Sequence, residues 1–251
     1  MKNSRQTVQN ITVRSFTLSG ILIKEQIKEP AAFFWVMLSP SVIFFFLERH
    51  NLGDRSTLIY FELTSWYYAY IASSVAFFGF SLYLVGRRES GYIRSFVYEK
   101  TSRIIFMLAH TLAYSLIAIL YCTVFYIVTR PFLGGYDATE LPPLVAKFYI
   151  CFLLFSSAGL FLTLTPLNFS TASTLLSIIS FTILAIGVGG QILEAEFSIR
   201  LLFNPLIAAK GLISEDLADN FTPCVAIATS FLALICICVI KMRINPVWSR
   251  Y

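Results

Sequence analysis

Six stretches of this chain are almost free of charge over the length needed to cross a bilayer, and nothing else in it constrains the fold as strongly. They are Ala31–Leu47, Trp66–Val85, Ile104–Val128, Val145–Leu164, Thr171–Gly190 and Pro223–Ile240. A helix that crosses the hydrocarbon core needs about 17–25 predominantly apolar residues. In lipid only helices and closed barrels satisfy every backbone polar group. These runs are continuously apolar rather than alternating, so they predict helices. The expected fold is an all-α integral membrane protein with six transmembrane helices. Residues 1–251 form a single membrane domain: a tail and interfacial helix over 1–30, six spans over 31–240, and a tail over 241–251.

Composition bears on what such a domain can do. Charged residues make up 13% of the chain, and mean hydropathy is +0.73; soluble domains carry about 25% charged residues. No G-x-x-x-x-G-K-[ST] loop occurs, so ATP, if it drives this protein, acts on another chain.

The charges present are distributed unevenly. With the N-terminus placed inside, the inner segments 1–30, 86–103, 165–170 and 241–251 hold thirteen Lys/Arg and the opposite side holds six. Lys and Arg in short loops stay cytoplasmic. Both termini are therefore expected in the cytoplasm. This topology also accounts for the basic pI without nucleic acid as a partner; the bilayer is the expected environment.

The first 30 residues lack the layout of a cleavable signal. Ile11, Phe16, Leu18, Ile21, Leu22 and Ile27 recur at helical spacing among Arg14, Lys24, Glu25 and Lys28. That pattern predicts an amphipathic helix in the headgroup plane, ending before Pro30. A second amphipathic segment lies between spans two and three, where Tyr92, Ile93, Phe96 and Val97 form one apolar stripe. Between spans five and six, the apolar run Ser198–Leu212 is too short and too interrupted to cross. It predicts a re-entrant or interfacial pair of short helices broken at Asn204-Pro205 on the outer side.

Few residues offer chemistry. Five cysteines are scattered in or at the edges of spans, and two histidines, His50 and His110, lie far apart. No metal site or catalytic cluster is expected, and no catalytic residue is assigned. His110, inside a span, is expected to act as a hydrogen-bond partner. Span two opens on Trp66, Tyr67, Tyr68 and Tyr70, an aromatic belt. Span five carries Ser173, Ser177 and Ser180 on a small-residue stripe, which suits either close helix approach or a polar path.

In order along the chain, three elements resemble the type 2 ABC exporter permeases. Lys24-Glu-Gln-Ile-Lys-Glu-Pro30 before a span with Trp35 and Pro40 looks like the family's interfacial helix and first span. Arg88-Glu-Ser-Gly91 with the amphipathic segment is similar to its coupling helix. Phe203-Asn-Pro-Leu206 is similar to its outer re-entrant element. The resemblance implies a permease subunit in the inner membrane of a bacterium. It implies a second permease chain, the same or homologous, and two ABC ATPase subunits that hold ATP and Mg; this chain would bind no cofactor and would not be an enzyme itself. Arg88, Glu89, Gly91, Tyr92 and Phe96 would receive the ATPase stroke. Tyr67, Tyr70, Ser173, Ser177 and Ser180 would lie near the path of an amphiphilic, peptide, drug-like, glycan or lipid substrate. A different expectation, a secondary transporter or channel driven by ion gradients, fits less well: no internal repeat and no mid-span Asp, Glu, Lys or Arg is visible. An intramembrane enzyme would need more than His110.

Overall fold

The computed structural model describes residues 2–48, 57–90, 97, 99–192, 204–215 and 220–241. All regular secondary structure among them is helical. Helix α1 is Lys2–Ile27 and α2 is Pro30–Leu47. A long rod follows, built from α3 (Thr57–Ser74), a π-helical turn (Val75–Ser81) and α4 (Leu82–Glu89). Helix α5 is Lys100–Thr129, α6 is Leu141–Thr163, α7 is Phe169–Ile192, α8 is Pro205–Ser214 and α9 is Phe221–Lys241.

Among the described residues, four helical stretches are long and apolar enough to cross a membrane: Tyr60–Glu89, Lys100–Leu133, Leu141–Thr163 and Phe221–Lys241. They coincide with the second, third, fourth and sixth runs read from the sequence. The first and fifth runs fall on α2 and α7, which contribute the shorter described apolar helices Val36–Leu47 and Phe169–Ala185. The protein is thus an all-helical transmembrane protein.

The rod Tyr60–Glu89 is the hub. Its apolar window is 67% buried within the chain, against 17% for Phe221–Lys241. It packs on α5, α6, α7 and α8, whereas α9 touches mainly α6 and α5 and leaves most of its apolar surface facing outward. Backbones approach closely at the π-turn. A Cβ on Gly159 of α6 would sit 1.8 Å from Ser81 Oγ, so only glycine fits there. The Ser81 hydroxyl donates to the Ala76 carbonyl at 2.8 Å, five residues back, within the widened turn.

Helix α1 is not simply adsorbed to a lipid surface. It lies along α5, burying Ser15, Ser19 and Leu22, with Leu22 in contact with Ala109 and Ala113. Small residues on both helices permit that approach. Phe16, Ile21 and Ile27, part of the apolar stripe seen in the sequence, remain exposed. The stripe therefore divides between a helix partner and the outside.

Helix α8 begins at Pro205, where a missing N–H costs nothing. Asn204 caps it, its Oδ1 accepting from the Leu206 amide at 3.0 Å, while its Nδ2 donates to the Ile183 carbonyl of α7 at 3.1 Å. The expected break at Asn204-Pro205 is thus a helix start. The first member of the expected re-entrant pair lies outside the described residues.

Candidate functional site

Segments that the charge count put inside meet at one end of the molecule. Arg87 and Arg88 close α4 there and take opposite tasks. Arg88 is 4% exposed. Its Nη1 donates to the carbonyls of Thr163 at 2.6 Å and Thr165 at 2.8 Å, and its Nη2 donates to that of Leu167. These carbonyls end α6 and lead into α7. The last carbonyls of a helix lack intrahelical partners and carry its negative dipole end. A guanidinium with its fixed fork of donors fits such a cluster better than an ammonium does. The rod is thereby bolted to the connection between α6 and α7.

Arg87 faces the other way. It pairs with Glu25 of α1 and with the Tyr83 hydroxyl, which itself donates to Glu25. The guanidinium also lies 4.8 Å from the Tyr83 ring centroid. At the next residue of α1, Gln26 Oε1 accepts from the Tyr114 hydroxyl of α5 at 2.9 Å. One short helix end, Leu82–Glu89, therefore joins α1 to the connection between α6 and α7.

An aromatic box surrounds His110 behind this junction. Its ring stacks at 5.7 Å on Tyr83 and lies 4.7 Å from Phe80 and 4.8 Å from Tyr114. Nε2 lies 2.8 Å from the Phe80 carbonyl, so Nε2 carries the proton; Nδ1 is buried without a hydrogen-bond partner. The hydrogen-bonding role expected for His110 is met, and its partner belongs to the π-turn.

Between α1, the rod, α5 and the start of α7 opens a cleft of about 430 Å³. Phe78, Leu82, Tyr114 and Phe169 form its apolar walls, with Gln26, Glu29 and Arg87 at the polar rim.

The opposite end is built differently. Arg130 follows α5, and its guanidinium forms a two-pronged pair with Glu140: Nε to Oε2 at 2.8 Å and Nη2 to Oε1 at 2.9 Å. Nη1 donates to the Leu133 carbonyl at 2.7 Å. Both side chains are buried. Gly134 and Gly135, at φ of 127° and 98°, turn the chain back so that Glu140 returns to Arg130. Alongside runs an ordered hydroxyl chain. Thr129 donates to the Phe125 carbonyl at 2.8 Å, so it accepts from Tyr60 at 3.0 Å, and Tyr60 accepts from Tyr68 at 2.7 Å. Lys147 Nζ donates to the Ile213 carbonyl at 3.3 Å. In the exposed loop, Asp137 accepts from the amide and hydroxyl of Thr139, which holds its carboxyl below the usual aspartate range.

The residues singled out in the sequence are thus dispersed. Arg88 is an internal tie and Glu89 sits half-buried at the end of α4, while Gly91, Tyr92 and Phe96 lie outside the described residues. Tyr67 is packed within the chain, 5.5 Å from the Phe44 ring and 6.2 Å from Phe125; Tyr70 is half-buried. Helix α7 packs inward through Ala172, Leu176 and Ile179, leaving Ser173 and Ser180 half-buried and Ser177 exposed on the chain's surface. Sequence reading missed the Arg88 carbonyl cluster, the Glu25–Arg87–Tyr83 triad, the π-turn and the Arg130–Glu140 pair. Glycines at 134 and 135 between two oppositely charged residues were the one available signal for the last of these.

No family model matches the chain. Over an alignment of 243 residues, it is 28% identical to Protein McbE of Escherichia coli, covering 91% of this chain and 96% of that protein. The molecule is an all-helical transmembrane protein, similar along nearly its whole length to that bacterial protein.

Proposed function

We propose that this chain is the membrane-spanning permease subunit of an ATP-driven exporter of the type 2 ABC class. In this reading six spans cross the inner membrane of a bacterium, with both termini cytoplasmic. A second permease chain pairs with it, and two separate ATPase chains bind ATP and Mg below. The cargo leaves the cytoplasm.

The observation that carries the reading is the junction at Leu82–Glu89. An input helix must pass force into several spans without bending at its root. Arg88 ties that root to the α6–α7 connection, and Arg87 ties it to α1. The Arg88-Glu-Ser-Gly91 element begins at this root, where the resemblance places the coupling segment. In this reading Glu89, Tyr92 and Phe96 form the surface offered to the ATPase.

Affinity purification of the full-length chain from its own host tests this. The expected result is a co-purifying chain with a phosphate-binding G-x-x-x-x-G-K-[ST] loop, lost or weakened by Phe96→Ala. Truncating a buried interface aromatic commonly costs about 2 kcal/mol or more. Purification without any such chain, under conditions that keep the membrane complex intact, would sink the proposal.

A further inference from the structure

We propose that the cleft between α1, the rod, α5 and α7 binds an amphiphilic organic cation. On the export reading such cations are the cargo; the binding itself does not depend on that reading.

The walls set the size and the apolar part. At about 430 Å³ the cleft falls within the range of small-ligand pockets, about 300–1,000 Å³. Phe78 and Phe169 leave 38% and 43% of their surface uncovered. Both rings line the cleft, and Tyr114 adds a third. Aromatic faces attract cations through their quadrupoles, and the attraction grows when the cation is partly desolvated.

The rim sets the sign of the charge. Arg87 stands at the mouth, but Glu25 is bonded to it and balances it. Glu29 has no ion pair among the described residues and is exposed at the same mouth. Counting the lining residues and the ion-pair partner of Arg87, one carboxylate beyond balance therefore faces an apolar, aromatic hollow; Lys28, next to Glu29 in the chain, is exposed and does not line the cleft. An anionic headgroup would meet that carboxylate and an arginine already neutralised. A cation with a hydrophobic body meets Glu29 with its charge and the rings with its body. Gln26 accepts from Tyr114 through Oε1, which leaves its amide nitrogen to donate to a polar group of the ligand.

Tetraphenylphosphonium and tetraphenylborate have the same shape and opposite charge, so they separate charge selection from greasiness. Saturable binding of each to the purified full-length chain would be measured by equilibrium dialysis, with empty micelles subtracted. The expected result is micromolar binding of the phosphonium and no saturable binding of the borate. Glu29→Gln should weaken the phosphonium about threefold, as expected for loss of an exposed opposite charge. Leu82→Trp should fill the cleft and abolish binding. If Leu82→Trp does not fold, the exposed Glu29 variant still decides the matter. Equal binding of both ions, an unchanged affinity in Glu29→Gln, or no saturable phosphonium binding would each overturn the proposal. No ATPase is present in this measurement. A missing ATPase partner therefore leaves a positive result standing, and a negative result leaves the permease reading standing.

Discussion

Both ends of the bundle bury an arginine, and the two are satisfied in opposite ways. Arg130 meets a carboxylate ten residues away, across a loop closed by two glycines. Arg88 meets only carbonyls, from residues 75 to 79 positions away. The first arrangement is local. It closes a hairpin between α5 and α6 and can form whenever those helices are adjacent. The second is long-range. It exists only when span two and the α6–α7 connection are docked, so it reports on the relative position of whole helices. A local neutral pair suits a fixed corner. A cation held by helix-end dipoles suits a joint, because the carbonyls move with their helix and carry the arginine with them.

The sharpest way to break this comparison is at the fixed corner. Removing one member of a buried pair strands the other charge and typically costs about 3–5 kcal/mol. Glu140→Ala should therefore lower the unfolding midpoint in detergent more than any other single change at either end. The double change Arg130→Met with Glu140→Leu should recover most of the loss, since an apolar pair of similar volume is tolerated. A Glu140→Ala protein as stable as the wild type would show that the corner is not a stabilising element.

Next in size is the joint. Arg88→Ala removes three charge-assisted bonds and leaves buried carbonyls short of a donor, at about 2–3 kcal/mol. Arg88→Lys should restore only part of this, because an ammonium cannot span three carbonyls as a guanidinium does. Beyond stability, a cysteine pair placed across Val85 and Leu164 should cross-link less completely in Arg88→Ala. Unchanged cross-linking would mean that packing alone holds the two elements together.

The smallest effect belongs to the triad at α1. Glu25 and Arg87 are partly solvated, with side chains 44% and 22% exposed. Exposed pairs contribute about 0–1 kcal/mol. Glu25→Gln should barely move the unfolding midpoint. It should instead raise amide hydrogen exchange along α1 from Leu18 to Ile27, because the helix loses one of its ties to the rod. An effect on global stability equal to that of Glu140→Ala would erase the distinction between the two ends.

Hydrophobic run length was enough to locate the helices, since a lipid span tolerates neither charge nor an unsatisfied backbone and the requirement is visible residue by residue. The same holds for the start of α8, where Asn-Pro is both cap and first helical residue. Partners were a different matter. Arg87 and Arg88 are adjacent and chemically identical, yet one is an outward tie to α1 and the other is sealed inside; the 100° between neighbouring helix positions separates them, and only the placement of α1 and α6 around the rod gives each direction its meaning. The π-turn left no mark in the sequence; what meets it, Gly159 at Ser81 and His110 at the Phe80 carbonyl, comes from other helices. The resemblance would put Tyr67 near a substrate path, and nothing in its own sequence neighbourhood indicated that its ring packs against Phe44 and Phe125. Local chemistry is written along the chain, whereas burial and pairing depend on which remote backbone arrives alongside, and that is decided when the helices pack.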